Sequence, residues 1–115
     1  MVHGFGGSGS DLRLLKNLIT QYARPEEGER LTFLLSNVNS GKKTEGCIFE
    51  MGTAFAHELK QHIEIHCPDV TKISFFCFSL GGLIARAAFP LLQQFRTKFH
   101  LYCSLGSPHL GYMYN

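Results

Sequence analysis

Apolar positions recur along this chain with helical spacing in some stretches and as short continuous runs in others, and the alternation predicts the elements. Leu12, Leu15, Ile19 and Tyr22, flanked by Leu14 and Leu18, repeat at helical spacing through about Ala23. Ser10 stands before them as a helix cap, and Asp11 puts a carboxylate in the first turn, where the helix dipole favours it. Arg24-Pro25 ends this helix, because the residue before a proline is pushed out of the helical region, and Glu26 to Glu29 form a charged surface loop. Leu31 to Leu35 is a continuous apolar run, the pattern of a strand buried on both faces, and Ser36 to Gly46 is a polar loop. From Ile48 to about His66, Met51, Phe55, Leu59 and Ile63 recur every four residues and mark a long amphipathic helix closed by Pro68-Asp69. Lys72 to Cys77 reads as a strand and Leu80 to about Phe89 as a helix. Leu91 to Gln94 reads as a turn beyond Pro90, and Phe99 to Ser104 as a fourth strand. Met1-Val2 reads as the last two residues of a first strand. Two residues cannot hold a sheet, so upstream residues are expected to be missing from the sequence.

Strands alternating with helices imply βαβ units. The expected architecture is therefore α/β, a three-layer parallel sheet with right-handed crossovers, in a single domain over residues 1–115. Ligands of such sheets bind off the carboxyl ends of the strands. HGFGG follows the first strand, FSLGG the third and GSPHLG the fourth, so three unusual loops converge on that edge.

Composition narrows the partners. The 115 residues are 44% hydrophobic and 17% charged, which fits a globular domain, and a net charge of +2 with scattered basic residues gives no reason to expect nucleic acid. No apolar run approaches the ~18 residues that read as a transmembrane span, and MVHGFGGSGS lacks the regions of a signal peptide. Peripheral membrane contact stays open. The four cysteines (Cys47, Cys67, Cys77, Cys103) have no CxxC spacing and read as buried or free thiols in a reducing, cytoplasmic setting.

The candidate chemistry centres on Ser79. In KISFFCFSLGGLIARAA an apolar strand bends at a serine into a helix, the layout of a nucleophile elbow, with Gly81 and Gly82 leaving room on the far side. The ordinary alternative is a tight strand-to-helix turn with a capping serine. HGFGG supplies what an elbow needs for acyl transfer. A tetrahedral oxyanion requires two N–H donors, one from the residue after the nucleophile, Leu80, and one from the glycine loop, Phe5. Gly4, Gly6 and Gly9 also match G-x-G-x-x-G, a dinucleotide fingerprint. That reading needs an acidic residue at the end of the next strand, where Leu34-Leu35-Ser36-Asn37 has none. SGKKT (Ser40 to Thr44) lacks the rest of a phosphate loop. Glu58, His62 and His66 share a helix face and could in principle hold a metal, but no second segment completes the set, so no metal or cofactor is expected.

VHGFGGSGSDLRLLKN, KISFFCFSLGGLIAR and SLGSPHLGYMYN together resemble the lipase-like serine esterases of the α/β-hydrolase superfamily, eukaryotic proteins related to lipid metabolism, over nearly the whole chain. The resemblance implies Ser79 as nucleophile and Phe5 and Leu80 as oxyanion-hole N–H donors. It implies His3, Gly4, Gly6, Phe78 and His109 around the substrate, and a lipid or other carboxylic ester as substrate. Cys77-Phe78-Ser79 stands where that family has Gly-His-Ser, so the near side of the elbow carries a side chain where glycine is usual. In this fold the triad acid and histidine follow the serine. After Ser79 the chain has no Asp or Glu, His100 lies in a strand, and the loop of His109 is structural in the family. The acid and base are therefore expected beyond Asn115, and a catalytically inactive lipase-like binding module remains the alternative.

Overall fold

The computed structural model describes residues 1–111; the last four residues of the SLGSPHLGYMYN motif lie outside them. Three helices, α1 (Arg13–Tyr22), α2 (Ile48–His66) and α3 (Leu80–Ala88), accompany a two-stranded parallel sheet of β1 (Ile73–Phe78) and β2 (Phe99–Leu105). The chain is thus a small mixed α/β unit. The strands run in register from Phe75 opposite Tyr102 to Phe78 opposite Leu105, and the α3 crossover lies between them. On the other edge of β1, Val2 bridges to Cys77. The Val2 N–H donates to the Phe76 carbonyl (2.9 Å) and the Phe78 N–H donates to the Val2 carbonyl (3.0 Å). β1 therefore has neighbours on both sides, and it is the strand that ends at Ser79.

Residues 31–35 are not a regular strand. The Ser36 N–H bonds to the Met1 carbonyl (3.0 Å) and the Met1 amine to the Leu34 carbonyl (2.7 Å), so the run lies beside Met1-Val2. Only Met1 reaches it with hydrogen bonds among the described residues, too short a partner to make a ladder. Burial on both faces also fails: Leu31 is 45% exposed, and Phe33 to Leu35 are half-buried. The first helix starts differently from its expected cap. A 3-10 turn, Gly9–Leu12, precedes α1, and the cap is Ser8, not Ser10. The Asp11 carboxylate reaches back to the Ser8 N–H at 2.7 Å, a capping box that satisfies an otherwise orphaned donor.

β1 alternates as the period of two requires. Ile73, Phe75 and Cys77 are buried, while Ser74, Phe76 and Phe78 face the other way. The buried row joins Met51, Phe55, Leu59 and Ile63 of α2 and Ile84, Ala85 and Ala88 of α3 in one core. Phe75 sits edge-on to Phe89 and Phe99, ring centres 5.1 and 5.2 Å apart. From Phe89 to Lys98 the chain continues in 3-10 turns, with a kink at Leu92.

The α2–α3 contact depends on a missing side chain. A Cβ at Gly52 would stand 2.6 Å from Ala87 Cβ and 2.9 Å from its carbonyl carbon. Gly→Ala inside a helix ordinarily stabilises by about 0.5–1 kcal/mol. Here the overlap, with a typical overpacking cost of about 1–3 kcal/mol, outweighs that gain. Gly52→Ala is expected to lower the urea unfolding midpoint; a raised midpoint would show that the two helices separate freely.

Candidate active site

Ser79 is the one non-glycine residue with positive φ among the described residues, at φ +49° and ψ −123°. An L side chain is disfavoured there, and such a residue persists only when its surroundings fix it. Three things fix it. The Ser79 N–H donates to the Leu105 carbonyl (2.8 Å) at the end of β2. The Gly82 N–H donates to the Ser79 carbonyl (3.1 Å), closing the first turn of α3. Gly81 lies so close to the segment before the glycine loop that a Cβ would meet the Val2 and His3 carbonyls at 2.5 and 2.6 Å. The strand, the sharp turn and the close-packed helix of an elbow are all present, and Ser79 is exposed at its tip.

The missing glycine at residue 77 does not prevent the turn, because Cys77 points into the core. It is 0% exposed and packs in the cluster that holds Val2, Ile84 and Ala85. Burial pushes its thiol up to about 12, so it stays protonated and is no rival nucleophile.

The glycine loop lies against this turn. A Cβ on Gly4 would stand 3.0 Å from Ser79 Cβ and 3.6 Å from its Oγ, so only glycine leaves the serine free there. The loop turns at Gly6 (φ +68°), with the Gly7 N–H on the Gly4 carbonyl (3.1 Å). Its outer side is held by the segment of SGKKT, a 3-10 turn over Gly41–Glu45. The Gly6 N–H donates to Thr44 Oγ1 (2.9 Å), Thr44 Oγ1 donates to the Gly41 carbonyl (2.7 Å), and the Gly41 N–H donates to the Gly7 carbonyl (3.0 Å). Thr44 is therefore a supporting residue that motif reading passed over. Nothing in the sequence sets this threonine apart in its polar loop; its burial is a product of the fold. Among the described hydrogen bonds, neither the Phe5 N–H nor the Leu80 N–H has an acceptor; the latter opens a helix and has none within it. The N–H groups of Gly6, Gly7 and Gly9 are already engaged, the last on Asn37 Oδ1 (3.3 Å). That leaves little of the cradle a dinucleotide pyrophosphate would need.

Beside the loop and the elbow opens a cleft of about 550 Å³, lined by His3, Gly4, Phe5, Phe78, Leu105 and the Leu14-Leu15-Leu18 side of α1. The expected residues Phe5 and Phe78 meet there, and the Phe5 ring is 66% exposed. His3 is 2% exposed; its Nδ1 bonds to the Gly4 carbonyl (2.9 Å), and its buried Nε2 has no partner. Gly6 and His109 are not part of this lining. His109 lies instead against Arg86 (Nδ1 to Nη1, 3.1 Å) and Ser104 (Nε2 to Oγ, 2.9 Å). Arg86 and Ser104 carried no motif signal, because their contact with His109 is tertiary.

No hydrogen bond to Ser79 Oγ occurs among the described residues, and Asp11 is spent on its cap. Glu58, the carboxylate of the conceivable metal face, is engaged by another segment. It accepts from Ser36 Oγ (2.6 Å) and from the Asn37 and Val38 N–H groups (2.9 and 3.2 Å). Burial, with His66 beside it, holds His62 below the usual histidine range. Among the described residues no three of His, Cys, Asp and Glu gather as a metal site.

Residues 1–115 match the family described as "Putative serine esterase". The chain belongs to that family. No solved structure matches it. The esterase-family chain has no helix among its described residues long and apolar enough to cross a membrane.

The elbow's strain is open to measurement. Ser79→Gly removes a strain of about 1–3 kcal/mol and costs about 0.4–1 kcal/mol through the freer unfolded chain. The variant is expected to be more stable than wild type in urea unfolding, and Ser79→Ala is not. Equal stability of the glycine and alanine variants would show that residue 79 carries no strain.

Proposed function

We propose that this chain carries the nucleophile and the oxyanion-binding half of a serine ester hydrolase acting on lipid or other lipophilic carboxylic esters. The observation that carries the reading is Ser79 itself, exposed at φ +49° between β1 and α3 with Gly4 packed against it. Strained, solvent-facing serines at such turns are what acyl-transfer sites require. Family membership supports the same class. In this reading β1, β2 and Val2 form the centre of a wider parallel sheet in the three-layer α/β-hydrolase arrangement, and residues 1–115 are part of that single domain.

The reaction that this reading implies is acyl transfer through Ser79. Ser79 Oγ attacks the ester carbonyl carbon as its proton passes to a general base. The carbonyl oxygen takes up the electron pair and is met by the Phe5 and Leu80 N–H groups. Collapse of the intermediate breaks the bond to the alkoxy oxygen, and the alcohol leaves with that proton. Water, deprotonated by the same base, attacks the acyl-Ser79 ester. The bond to Ser79 Oγ breaks, the serine regains its hydrogen from the base, and the carboxylic acid departs, releasing its own proton to water. Among the described hydrogen bonds neither His3 nor His109 reaches Ser79 Oγ, so the reading assigns the base and its carboxylate partner to residues outside the described ones. No metal or cofactor enters the scheme. A cytoplasmic site suits the four free cysteines.

The apolar lining of the cleft points to an acyl chain. Burying a methylene is worth about 0.8 kcal/mol, so two of them give about a tenfold gain. A second reading, an inactive lipase-like binding module, is favoured by the lack of a base bonded to Ser79. Alkyl fluorophosphonates separate the two. Labelling is expected on Ser79, abolished in Ser79→Ala, and faster for an octyl than for an ethyl probe by up to about three orders of magnitude. A folded wild-type chain that takes no label supports the binding module, and a label that survives in Ser79→Ala removes Ser79 from the mechanism.

Replacements of Cys77 give a separate check. Cys77→Gly is expected to keep the labelling rate and Cys77→Leu to lose it, since residue 77 sits in a filled core directly before the elbow. Wild-type labelling in the leucine variant would mean the core there yields without disturbing the turn.

A further inference from the structure

Arg86, on α3 two helical turns past Ser79, contacts the loop that follows β2. Its guanidinium carries N–H donors and no acceptor. Its Nη1 lies 3.1 Å from His109 Nδ1, so that ring nitrogen must present its lone pair. The single proton of the neutral imidazole then sits on Nε2, which donates to Ser104 Oγ at 2.9 Å. Arg86, His109 and Ser104 form a chain with one polarity, and it exists only while the imidazole is neutral. A second proton on Nδ1 would abolish the acceptor and set one cation against another. Among the described residues, the groups facing the ring are Arg86 from α3, and Tyr102 (ring centres 6.3 Å apart) and Ser104 from β2.

What this chain fastens is the support of the elbow. Ser104 is followed by Leu105, whose carbonyl accepts the Ser79 N–H at 2.8 Å. Tyr102, two residues before Ser104, donates its hydroxyl to the Gly82 carbonyl (2.9 Å). Ser107 is packed directly against Gly82, its buried hydroxyl without a partner. The end of β2 and the following loop thus grip residues 79 and 82, and Arg86 ties that loop back to the same helix.

We propose that Arg86 and His109 are positioning residues for Ser79, a latch that holds the end of β2 and its loop over the first turn of α3 and so keeps the serine in its left-handed conformation. The proposal rests on the reading of Ser79 as nucleophile for its catalytic meaning, but the latch is testable without catalysis. A glutamine at residue 109 offers one acceptor and one donor on the same side chain, so it closes the latch.

Nitrogen NMR of the wild-type chain, labelled at histidine, is expected to report His109 protonated on Nε2 and bare on Nδ1 near neutral pH; the opposite tautomer overturns the proposal without any variant. Exchange protection of the Ser79 amide, corrected for the intrinsic pH dependence of exchange, gives the second readout. It is expected to fall about tenfold in Arg86→Met and in His109→Ala, the size of one lost hydrogen bond. His109→Gln should keep the wild-type protection. Wild-type protection in folded Arg86→Met, or a His109→Gln variant as exposed as His109→Ala, overturns the latch. A chain that shows the expected exchange but takes no fluorophosphonate label overturns the nucleophile reading and leaves the latch standing.

Discussion

The hydrogen bond from the Ser79 N–H to the Leu105 carbonyl is the contact on which the rest of the site depends. A serine at φ +49° costs on the order of 1–3 kcal/mol relative to a relaxed turn, and its own side chain contributes nothing toward that cost. The surroundings offset it by over-determining the path of the chain. β1 is fixed on both edges, by Val2 and by β2, and is anchored from below by Cys77 in the core. α3 must start at once, because Gly81 lies against the Val2 and His3 carbonyls and Gly82 against Ser107. Between a strand that cannot shift and a helix that cannot retreat, residue 79 is left with the left-handed bend.

The same packing shapes the space in front of the serine. Val2 and His3 press on α3 from one side, so the glycine loop that follows them emerges over Ser79, and Gly4 has no room for a side chain. Thr44 and Gly41 hold the far side of that loop by hydrogen bonds, leaving the Phe5 N–H without an internal acceptor. Glu58 performs a similar service further out, gathering Ser36, Asn37 and Val38 at the start of the loop that leads to Thr44. Glycine backbone on one side and a leucine-lined cleft on the other place Ser79 beside an apolar hollow, the division that the proposed reading as a hydrolase of lipophilic esters requires.

What could be read in the sequence followed from how local each cause is. α2 was legible end to end, because Met51, Phe55, Leu59 and Ile63 repeat without interruption and all four are buried. The serine turn was legible because small residues flank a strand-to-helix junction. Ser8 was missed as the cap, although Ser8-Gly9-Ser10-Asp11 carries the S-x-x-D spacing of a capping box; Ser10, nearer the apolar repeat, drew the assignment. Leu31 to Leu35 looked like a buried strand, but pairing and burial depend on neighbours that a run of apolar residues does not reveal. The Arg86–His109 contact joins residues 23 apart in sequence, with no periodicity or motif to announce it.

The most direct test of the account is a crystal structure of the protein phosphonylated by a small fluorophosphonate, whose tetrahedral phosphorus imitates the acyl-transfer intermediate. The account predicts phosphorus bonded to Ser79 Oγ, with φ of Ser79 still positive. It also predicts one phosphoryl oxygen within ~3 Å of both the Phe5 and the Leu80 N–H groups. A phosphoryl oxygen turned to solvent, an adduct on another residue, or a Ser79 relaxed to negative φ would contradict it.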